Sequence, residues 1–482
     1  MLFTVEEACR VLNARLLFAD AVSPGTPARG GATGAVPHPE SGARPILGVT
    51  HDSRRVQSGF LFVAIPGATT DGHLFLEDAF ARGAAAALVS REPECPPGGP
   101  CLLVPDTVLA LGRLGLWHRL RFPDLVVVGI TGSLGKTSTK DMAASVLGTR
   151  YCVLKNEGNL NTEVGVPLTL LQLQPTHEVA LIEMAMRGRG QIGYLAQLAR
   201  PRMGVVTNVS ESHLELLGSV DEVARAKAEL VAALPPDGTA ILNGDDHRVR
   251  AMGEGFSGRV VYFGTGGGCQ VRATAVQSLA DRGTRFTLHL EGETAQVSLP
   301  VPGRHQVSNA LAAAALGWAL GLSAADIARG LEEPSLSGMR MEVLRLGELT
   351  VLNDAYNASP ASTSAALETL MEMPGARQLA VLGDMLELGP RTVPGHREVG
   401  RLVARLGLDH LVTVGVHSRE LARAARDEGM PAHRITEVDA APGAARLVRD
   451  LVRPGDVVLV KGSRGMKLEQ VVAALRQRGE AR

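Results

Sequence analysis

Residues 126–140 read Val-Val-Val-Gly-Ile-Thr-Gly-Ser-Leu-Gly-Lys-Thr-Ser-Thr-Lys, and they are the most informative segment of the chain. Residues 125–130 form a short apolar run that predicts one buried strand, and Lys136 opens a predicted helix. A strand that enters a helix through a glycine-rich turn makes a phosphate cradle, because free backbone N–H groups and the helix dipole converge on an anion. We therefore expect a nucleoside triphosphate here, with Lys136 along its outer phosphates and the Thr137 hydroxyl on a Mg²⁺ ion.

The match to the general phosphate-loop pattern G-x-x-x-x-G-K-[ST] is incomplete at its first glycine. Counting back from Gly135 places that glycine at position 130, which is isoleucine. An ordinary tight turn between a strand and a helix is the alternative interpretation. The Gly-Lys-Thr end stands in the strand-to-helix context that the pattern requires, so the sequence favours the cradle.

Composition limits the class of protein. The formal net charge of −1 and the 3% aromatic content argue against a nucleic-acid surface. The apolar run at residues 310–322 is too short to span a bilayer, and residues 1–7 carry acids where a signal peptide is basic and then apolar. The 5 cysteines lack metal-ligand spacing, which suits reduced thiols. We expect a cytoplasmic protein that binds no nucleic acid and does not insert into a membrane.

The N-terminal part of the chain shows two contrasting patterns. Thr4 and Glu7 form a capping box ahead of a predicted helix at residues 5–12. Residues 23–45 are rich in Pro, Gly and Ala and nearly free of large apolar side chains, which predicts a mobile loop. Strand and helix patterns then alternate, with a predicted helix at residues 72–83.

A repeating strand–helix rhythm continues to the end of the chain and predicts the fold class. Parallel-type strands with helices between them indicate doubly wound α/β sheets, and an antiparallel stretch is predicted at residues 271–299. The fold class we predict is α/β with three domains. These are a small N-terminal α/β domain at residues 1–104, a central P-loop-type ATPase domain with a mostly parallel sheet at 105–338, and a Rossmann-like domain at 339–482.

Two polar residues follow predicted strands of the central domain. Glu183 ends the buried strand at residues 179–184, and His213 follows the strand at residues 203–208. Ligands of open α/β sheets collect at the carboxyl ends of the strands, so Glu183 is a candidate for Mg²⁺ coordination and His213 a candidate metal ligand. The alternatives are a glutamate that caps a neighbouring helix and a loop histidine without a catalytic role.

Lys227 lies on an apolar helix face. In the helix predicted at residues 220–234, Lys227 falls on the stripe that consists of Val220, Val223, Leu230 and Leu234. Burying an ammonium there is costly unless it is paired or neutralised. Either the side chain extends to water along the stripe, or the lysine is chemically altered or meets an anion beside the metal.

The cradle and these three residues together resemble the Mur ligases. The segment Gly-Ile-Thr-Gly-Ser-Leu-Gly-Lys-Thr-Ser at residues 129–138 is similar to the ATP loop of that family, which has isoleucine where other phosphate loops have glycine. Glu183, His213 and Lys227 fall where the family has a Mg²⁺-binding glutamate, a histidine and a carbamylated lysine. The resemblance implies ATP and two Mg²⁺ ions as cofactors, with Thr137, Glu183, His213 and carbamylated Lys227 as metal ligands.

The resemblance extends over nearly the whole chain and assigns further residues. Catalytic roles are implied for Lys136, Lys227, His213, Glu183 and Arg340. An ATP-binding role is implied for Thr131, Gly132, Ser133, Leu134, Gly135, Lys136, Thr137, Ser138, Asn243, His305, Asn309, Arg340 and Asp354. A substrate-binding role is implied for Asp52, Ser53, Arg54, Asn159, Asn161, Tyr356, Asn357, Lys461, Ser463 and Arg464.

Three C-terminal motifs resemble one branch of the family, the ligases that add D-alanyl-D-alanine to UDP-N-acetylmuramoyl-tripeptide. The motifs are Asn-Asp-Ala-Tyr-Asn-Ala-Ser-Pro at 353–360, Leu-Gly-Asp-Met-Leu-Glu-Leu-Gly at 382–389 and Val-Lys-Gly-Ser-Arg-Gly-Met-Lys-Leu-Glu at 460–469. The resemblance implies an ATP-dependent amide ligase with these two small-molecule substrates, acting as a monomer. Thr162 departs from the branch, which usually has asparagine there, and the insert at 23–45 exceeds its usual length.

Other interpretations remain open at this point. The nearest is a tripeptide-stage Mur ligase or another amide ligase of the superfamily, such as a folylpolyglutamate synthase. The Asp-Asn-Pro-Arg motif that many tripeptide-stage ligases use to hold a diamino acid is absent from this sequence. A phosphate-loop binding module without ligase activity would not need Glu183, His213 and Lys227 together.

Overall fold

The structure is a computed structural model that describes residues 1–18, 44–67, 70–94, 96–211 and 214–480. The chain divides into two compact units. The first unit comprises Met1–Leu125, Leu154–Met184 and Tyr194–Arg200, and the second comprises Val126–Val153, Ala185–Gly193 and Pro201–Arg482. Mixed α/β structure with mostly parallel sheets confirms the predicted fold class. The boundaries at 104 and 338 stay predictions.

A five-stranded sheet forms the centre of the first unit. In spatial order its strands are Arg15–Leu17, Cys101–Leu103, Ala86–Val89, Phe60–Val63 and Gly48–Thr50. All neighbours are parallel except the edge strand Arg15–Leu17. A small antiparallel pair joins Phe3–Thr4 to Pro45–Ile46, so Pro45 belongs to a strand and the predicted loop was wrong at that residue. Residues 23–43 of that prediction lie outside the described residues.

The helices of the first unit begin where local capping predicts. Thr4 and Glu7 form the expected capping box at the start of Val5–Leu12. The helix predicted at 72–83 is instead a 3₁₀ turn followed by a short α-helix, because the Asp71 carboxylate accepts the His73 N–H and tightens the first turn. The remaining elements of the first unit are Ser53–Arg55, Gly72–Phe75, Leu76–Ala81, Thr107–Arg119, Gly165–Leu170 and Val179–Glu183. Val153–Lys155 and Gln191–Ala199 include residues of both units.

Seven strands of the second unit lie side by side in chain order, starting from the strand of the predicted cradle. They are Val126–Thr131, Met203–Val206, Thr239–Asn243, Arg259–Gly264, Val271–Ser278, Thr284–Leu290 and Glu293–Leu299. The first five strands are parallel to one another. The fifth strand pairs antiparallel with the sixth and the sixth with the seventh, which gives the antiparallel stretch that the sequence predicts. The accompanying helices are Lys136–Gly148, Leu214–Leu217, Val220–Ala232, His247–Ala251, Ala280–Arg282, His305–Ala319 and Ala324–Glu332.

The C-terminal part of the second unit has its own six-stranded sheet. The spatial order is Glu342–Leu346, Leu349–Asp354, Asp456–Lys461, Arg377–Gly383, His410–Val414 and Ile435–Val438. The sequence did not predict the two edge strands, because each is only half buried and lacks a continuous apolar run. The helices are Pro360–Met371, Gly389–Arg391, Thr392–Leu406, Ser418–Asp427, Ala432–Arg434, Ala441–Leu451, Arg464–Met466 and Glu469–Glu480. No helix in the described ranges is long and apolar enough to cross a membrane.

A buried ion pair joins two neighbouring strands of this sheet at their first residues. Arg377 donates from Nε to Asp456 Oδ1 at 2.9 Å and from Nη2 to Oδ2 at 2.6 Å. Asp456 has only 1% of its surface exposed, and Arg377 is its register partner across the parallel strands. A two-point pair of this kind holds the strand ends together, because the Asp456 carboxylate is withdrawn from water and the Arg377 side chain that neutralises it is only 23% exposed.

We expect Arg377→Ala to lower the free energy of unfolding by about 3 kcal/mol, because the Asp456 carboxylate is left buried without its cation. Arg449→Ala is the matched control, since Arg449 pairs with Asp450 on the exposed surface and its loss costs less than about 0.5 kcal/mol. Differential scanning calorimetry of the full chain measures both. Equal changes in the two variants would contradict a stabilising role for the buried pair.

Candidate functional site

The glycines of the phosphate loop allow side chains from two other elements to approach its backbone. The loop joins strand Val126–Thr131 to helix Lys136–Gly148. Gly132 has φ +154° and Gly135 has φ +78°, both in the region that favours glycine. A Cβ atom at residue 132 would overlap the Thr207 hydroxyl, and one at residue 135 would overlap Asn309 Oδ1. Both glycines are therefore required by space as well as by conformation.

Residues that follow the neighbouring strand Met203–Val206 hold the loop in place. Leu134 N–H donates to Asn208 Oδ1 at 2.9 Å, and Thr207 Oγ1 donates to Leu134 O at 2.6 Å. Ser133 Oγ donates to Ser210 O at 3.1 Å. The sequence analysis missed Thr207, Asn208 and Ser210, although their place directly after a buried strand was a signal that could have found them.

Lys136 and Asn243 have further contacts in this region. Lys136 Nζ donates to two carbonyls of its own loop, Gly132 O at 2.8 Å and Ser133 O at 3.2 Å. Asn243 Nδ2 donates to Thr207 O at 2.8 Å, so this predicted nucleotide residue supports the strand end that holds the loop. The side chains of Thr131, Thr137 and Ser138 are buried at the strand end and in the first helical turn.

The cradle has the chemistry of an anion site. Gly135 is the N-terminal cap of the helix and supplies no side-chain acceptor. The first N–H groups of a helix lack intrahelical partners and carry a partial positive charge, so they bind phosphate oxygens. A closely packed ordinary turn could also contain these two glycines, so the nucleotide role of the cradle stays a prediction at this point.

Helix His305–Ala319 supplies the side chain that contacts the loop glycine. Asn309 Oδ1 accepts a hydrogen bond from Thr139 Oγ1 at 3.4 Å, and Asn309 Nδ2 donates to Gln306 Oε1 at 2.9 Å. Gln306 thus orients Asn309, and the sequence analysis missed it. His305, at the start of the helix, has its pKa lowered by burial, with opposing effects from the charges of Asp354 and Lys461.

Lys227 is buried on its helix, as the apolar stripe predicts. Helix Val220–Ala232 also buries Val223 and Leu230, and Lys227 is 2% exposed. The alternative in which the ammonium extends to water is therefore wrong. Burial lowers the pKa of Lys227 well below its usual range, and the charge of Lys136 lowers it further. The amine has no ion pair with any carboxylate of the described residues.

Glu183 ends strand Val179–Glu183 in the first unit, and two asparagines fix it there. Asn161 Nδ2 donates to Glu183 Oε1 at 2.8 Å. Asn156 Oδ1 accepts the Glu183 N–H at 2.9 Å, and Asn156 Nδ2 donates to Leu160 O at 2.8 Å. The carboxylate is 2% exposed. Asn156 was missed by the sequence analysis, whereas Asn159 is exposed on the same turn.

The structure does not test the predicted set of metal ligands. Thr137 and Lys227 belong to the second unit and Glu183 to the first, and His213 lies outside the described residues. Among the described side chains, no group of three or more His, Cys, Asp and Glu residues could hold a metal ion. The predicted Mg²⁺ ligand set therefore stays a prediction.

Asp52, Ser53 and Arg54 form a compact turn in the first unit. The Asp52 carboxylate accepts the Arg54 N–H at 3.1 Å and pairs with the Arg54 guanidinium at 2.8 Å. The side-chain hydrogen bond from Arg54 is the main cause that lowers the pKa of Asp52 to about 2. Ser53 is buried at the start of the 3₁₀ turn Ser53–Arg55. The substrate-binding role predicted for these residues stays a prediction.

Lys461 and Asp354 form a buried ion pair between neighbouring strands of the C-terminal sheet. Lys461 Nζ donates to Asp354 Oδ2 at 2.5 Å and to Asn357 O at 2.9 Å. Next to this pair, the Arg340 guanidinium lies 4.0 Å from the centroid of the Tyr356 ring, which is a cation–π contact. The structure thus brings together five residues for which the sequence predicts nucleotide or substrate roles.

Ser463 and Arg464 occupy different environments although they are adjacent in the chain. Ser463 is buried, its N–H donates to Asp384 O at 3.1 Å and its Oγ accepts the Leu386 N–H at 2.9 Å. These bonds tie the strand end after Lys461 to the loop after strand Arg377–Gly383. Arg464 is on the surface and pairs with Glu469 at 3.2 Å.

Comparison with known proteins identifies the family. The chain is 37% identical to the UDP-N-acetylmuramoyl-tripeptide–D-alanyl-D-alanine ligase of Bacillus subtilis, over 92% of this chain and 96% of that one. This chain belongs to the Mur ligase family. Three models of the family match it, described as the Mur ligase family catalytic domain at residues 45–107, the middle domain at 130–317 and the glutamate ligase domain at 339–464.

Solved structures agree with this assignment. A crystal structure of MurF from Acinetobacter baumannii is 31% identical, with a TM-score of 0.84, and the match covers 98% of this ligase and 99% of that chain. A MurF ligase from Thermotoga maritima in complex with ADP is 27% identical, with a TM-score of 0.77, and the match covers 90% and 98% of the two chains. The phosphate loop of this Mur ligase is therefore part of an enzyme whose family includes a nucleotide-bound structure.

We expect Gly135→Ala to weaken ADP binding to this ligase by more than about tenfold, because the new Cβ displaces Asn309 and strains the left-handed backbone. Gly148→Ala is the matched control, since Gly148 ends the same helix and a Cβ there meets nothing within 4 Å. Isothermal titration calorimetry with ADP measures both affinities, and circular dichroism checks the fold. Unchanged ADP affinity in folded Gly135→Ala protein would refute the cradle.

Proposed function

We propose that this Mur ligase joins D-alanyl-D-alanine to UDP-N-acetylmuramoyl-tripeptide and converts ATP to ADP and phosphate. The observation that carries the proposal is the match to the Bacillus subtilis ligase, whose name states that pair of substrates, over nearly the full length of both chains. The phosphate cradle supports the nucleotide half of the reaction. Nucleotide-linked precursors and ATP place the proposed reaction in the cytoplasm, as a step of peptidoglycan precursor synthesis.

The reaction proceeds through an acyl phosphate. A carboxylate oxygen of the tripeptide attacks the γ-phosphorus of ATP, and the bond to the β-phosphate oxygen breaks to release ADP. The amine of D-alanyl-D-alanine then attacks the acyl carbon, loses a proton and expels inorganic phosphate. The first step brings two anions together, so catalysis depends on neutralising their charge.

Residues of the second unit can supply that positive charge. Lys136 belongs to the phosphate loop, and Arg340 lies on the segment that leads into the C-terminal sheet. We propose that Lys136 neutralises the transferred phosphoryl group from the loop side and Arg340 from the C-terminal side. Asn309 and His305, on a helix that contacts the loop, belong to the proposed nucleotide site, as does Asp354.

Magnesium is part of the proposal, and the donor set fits it only after a change at Lys227. Mg²⁺ prefers oxygen ligands and supplies charge neutralisation at the phosphates. The Thr137 hydroxyl and the Glu183 carboxylate are oxygen donors, whereas an ammonium at Lys227 would repel the ion. A carbamate on Lys227 would turn that side chain into an oxygen donor of negative charge. His213 remains in the proposed ligand set because of its position after a strand end and because of the resemblance.

In this proposal, each of the three predicted domains binds one of the substrates. Residues 1–104 bind the UDP portion, with Asp52, Ser53 and Arg54 in the site. Residues 105–338 bind ATP, and Asn159 and Asn161 bind the tripeptide. Residues 339–482 bind the incoming amine or shape its site, through Tyr356, Asn357, Lys461, Ser463 and Arg464, and we propose that the enzyme acts as a monomer. Lys461 and Ser463 are held by bonds within the domain, which suits a role in shaping the site.

We expect D-alanyl-D-alanine to drive phosphate release far better than single amino acids do, by a factor of up to about 10⁴, because buried polar groups reject a partner that leaves them unpaired. The assay follows ADP and phosphate with ATP and Mg²⁺, and each amine is offered separately with UDP-N-acetylmuramoyl-tripeptide and with the dipeptide-stage acceptor. Lys136→Ala is the control for release that depends on the cradle. If lysine or diaminopimelate drove release from the dipeptide-stage acceptor, the alternative, a tripeptide-stage ligase, would replace this proposal.

We also expect Lys227 to be carbamylated in the active enzyme. A lowered pKa favours the neutral amine, which is the form that reacts with CO₂, and the carbamate that forms carries a negative charge that can bind a cation. Carbon-13 NMR after equilibration with ¹³C-bicarbonate should show a carbamate signal that Lys227→Ala lacks. Formate or acetate should restore part of the ligase activity of Lys227→Ala. A plain lysine in active, Mg²⁺-loaded enzyme would rule the modification out.

A further inference from the structure

The segment that leads from the central to the C-terminal sheet is attached to the helix of the phosphate loop. Ser335 N–H donates to Ser145 Oγ at 3.0 Å. The N–H and the hydroxyl of Ser337 donate to Asp141 Oδ2 at 2.8 Å and 2.7 Å. Asp141 and Ser145 are four residues apart on helix Lys136–Gly148 and so share one face. The segment therefore runs along that helix towards its N-terminal end, where the cradle is.

The acceptor at the centre of this contact is a buried charge. Asp141 is 0% exposed and lies 3.7 Å from the ammonium of Lys140, which is also buried. Hydrogen bonds to a buried carboxylate are short and strong, because the charge has little competing solvent. Asp141 comes five residues after Lys136, which is about 7.5 Å along the helix axis. The anchor thus lies within two helical turns of the cradle.

The other side of the same segment is fixed to the C-terminal sheet. Met339 O accepts the Tyr356 N–H at 3.2 Å, and Met341 N–H donates to Asp354 Oδ1 at 3.1 Å. Met339 and Met341 have φ +61° and +53°, a conformation that non-glycine residues adopt only where surrounding contacts enforce it. Arg340 lies between these two residues, stacked on Tyr356.

We infer that Ser337 and Asp141 are positioning residues that set the place of Arg340 relative to the phosphate loop. Three residues of chain span at most about 10 Å, so the bond at Ser337 limits how far Arg340 can lie from the cradle helix. The bonds at Met339 and Met341 fix the other side. This inference rests on the proposed function, in which Arg340 neutralises charge on the transferred phosphoryl group.

The test is a double-mutant cycle between Ser337→Ala and Arg340→Ala in the full-length enzyme, with kcat measured by radiolabelled ATP. Ser337→Ala removes the hydroxyl bond and should lower kcat about tenfold, while the affinity for ADP changes less than about twofold because Arg340 acts on the transferred group. In the Arg340→Ala background, Ser337→Ala should have no further effect on kcat. Ser337→Thr keeps the hydroxyl and should restore kcat.

The control is Ser323→Ala, which removes the N-terminal cap of helix Ala324–Glu332 and its bond to Asp326 but none of the hydrogen bonds of this segment. It should lower thermal stability but leave kcat unchanged. Asp141→Asn, which keeps the side-chain shape, should lower kcat in the same direction as Ser337→Ala. Wild-type kcat in Ser337→Ala, or equal losses with and without Arg340, would overturn the inference. A wild-type enzyme that releases no phosphate with any amine would instead overturn the proposed function.

Discussion

The phosphate loop is closely packed at its two glycines: the side chain of Thr207 lies against Gly132, and the side chain of Asn309 lies against Gly135. One comes from the end of the neighbouring parallel strand and the other from helix His305–Ala319. Since both sit where a Cβ would be, the loop backbone is enclosed by elements on either side of it. The loop leads into the start of a helix, which is where phosphate oxygens bind, and a site fixed before its ligand arrives needs little reorganisation when charge develops.

Positive charge is the second feature that organises the second unit. Lys136 is close enough to Lys227 to disfavour its charge, and Lys461 lies near His305. Such groups repel one another unless anions lie among them, and Asp354 supplies one for Lys461. In our proposal, a nucleotide and a carbamate on Lys227 add further negative charge. The arrangement is suited to a reaction in which two anions must approach each other.

The central and C-terminal sheets of the second unit are connected by more than chain continuity. Arg391 pairs with Glu211 at 2.8 Å, and the segment before Glu342 is hydrogen-bonded both to the cradle helix and to the turn after Asp354. Ser337 thus links the cradle helix to the segment that carries Arg340. In the proposed function, this link helps a nucleotide site and an amine site on different sheets to act on one acyl group.

The sequence by itself determined the local features of this ligase and its family. The cradle, the capping box of Thr4 and Glu7, the antiparallel stretch after residue 271 and the burial of Lys227 were all predictable, because each depends on residues close together in the chain. Membership in the Mur ligases was also predictable from the loop and the strand-end residues. The roles of Glu183 and His213 remain predictions from resemblance.

Only the tertiary structure decided which distant residues meet. Asp354 binds Lys461 across 107 residues of chain, and Asp141 binds Ser337 across 196 residues. Asn309, on helix His305–Ala319, lies against the loop at Gly135. The half-buried edge strands Glu342–Leu346 and Ile435–Val438 also escaped prediction, because their partners and not their own composition make them strands. Periodicity reports which face of an element is buried, whereas the path of the chain decides what that face contacts.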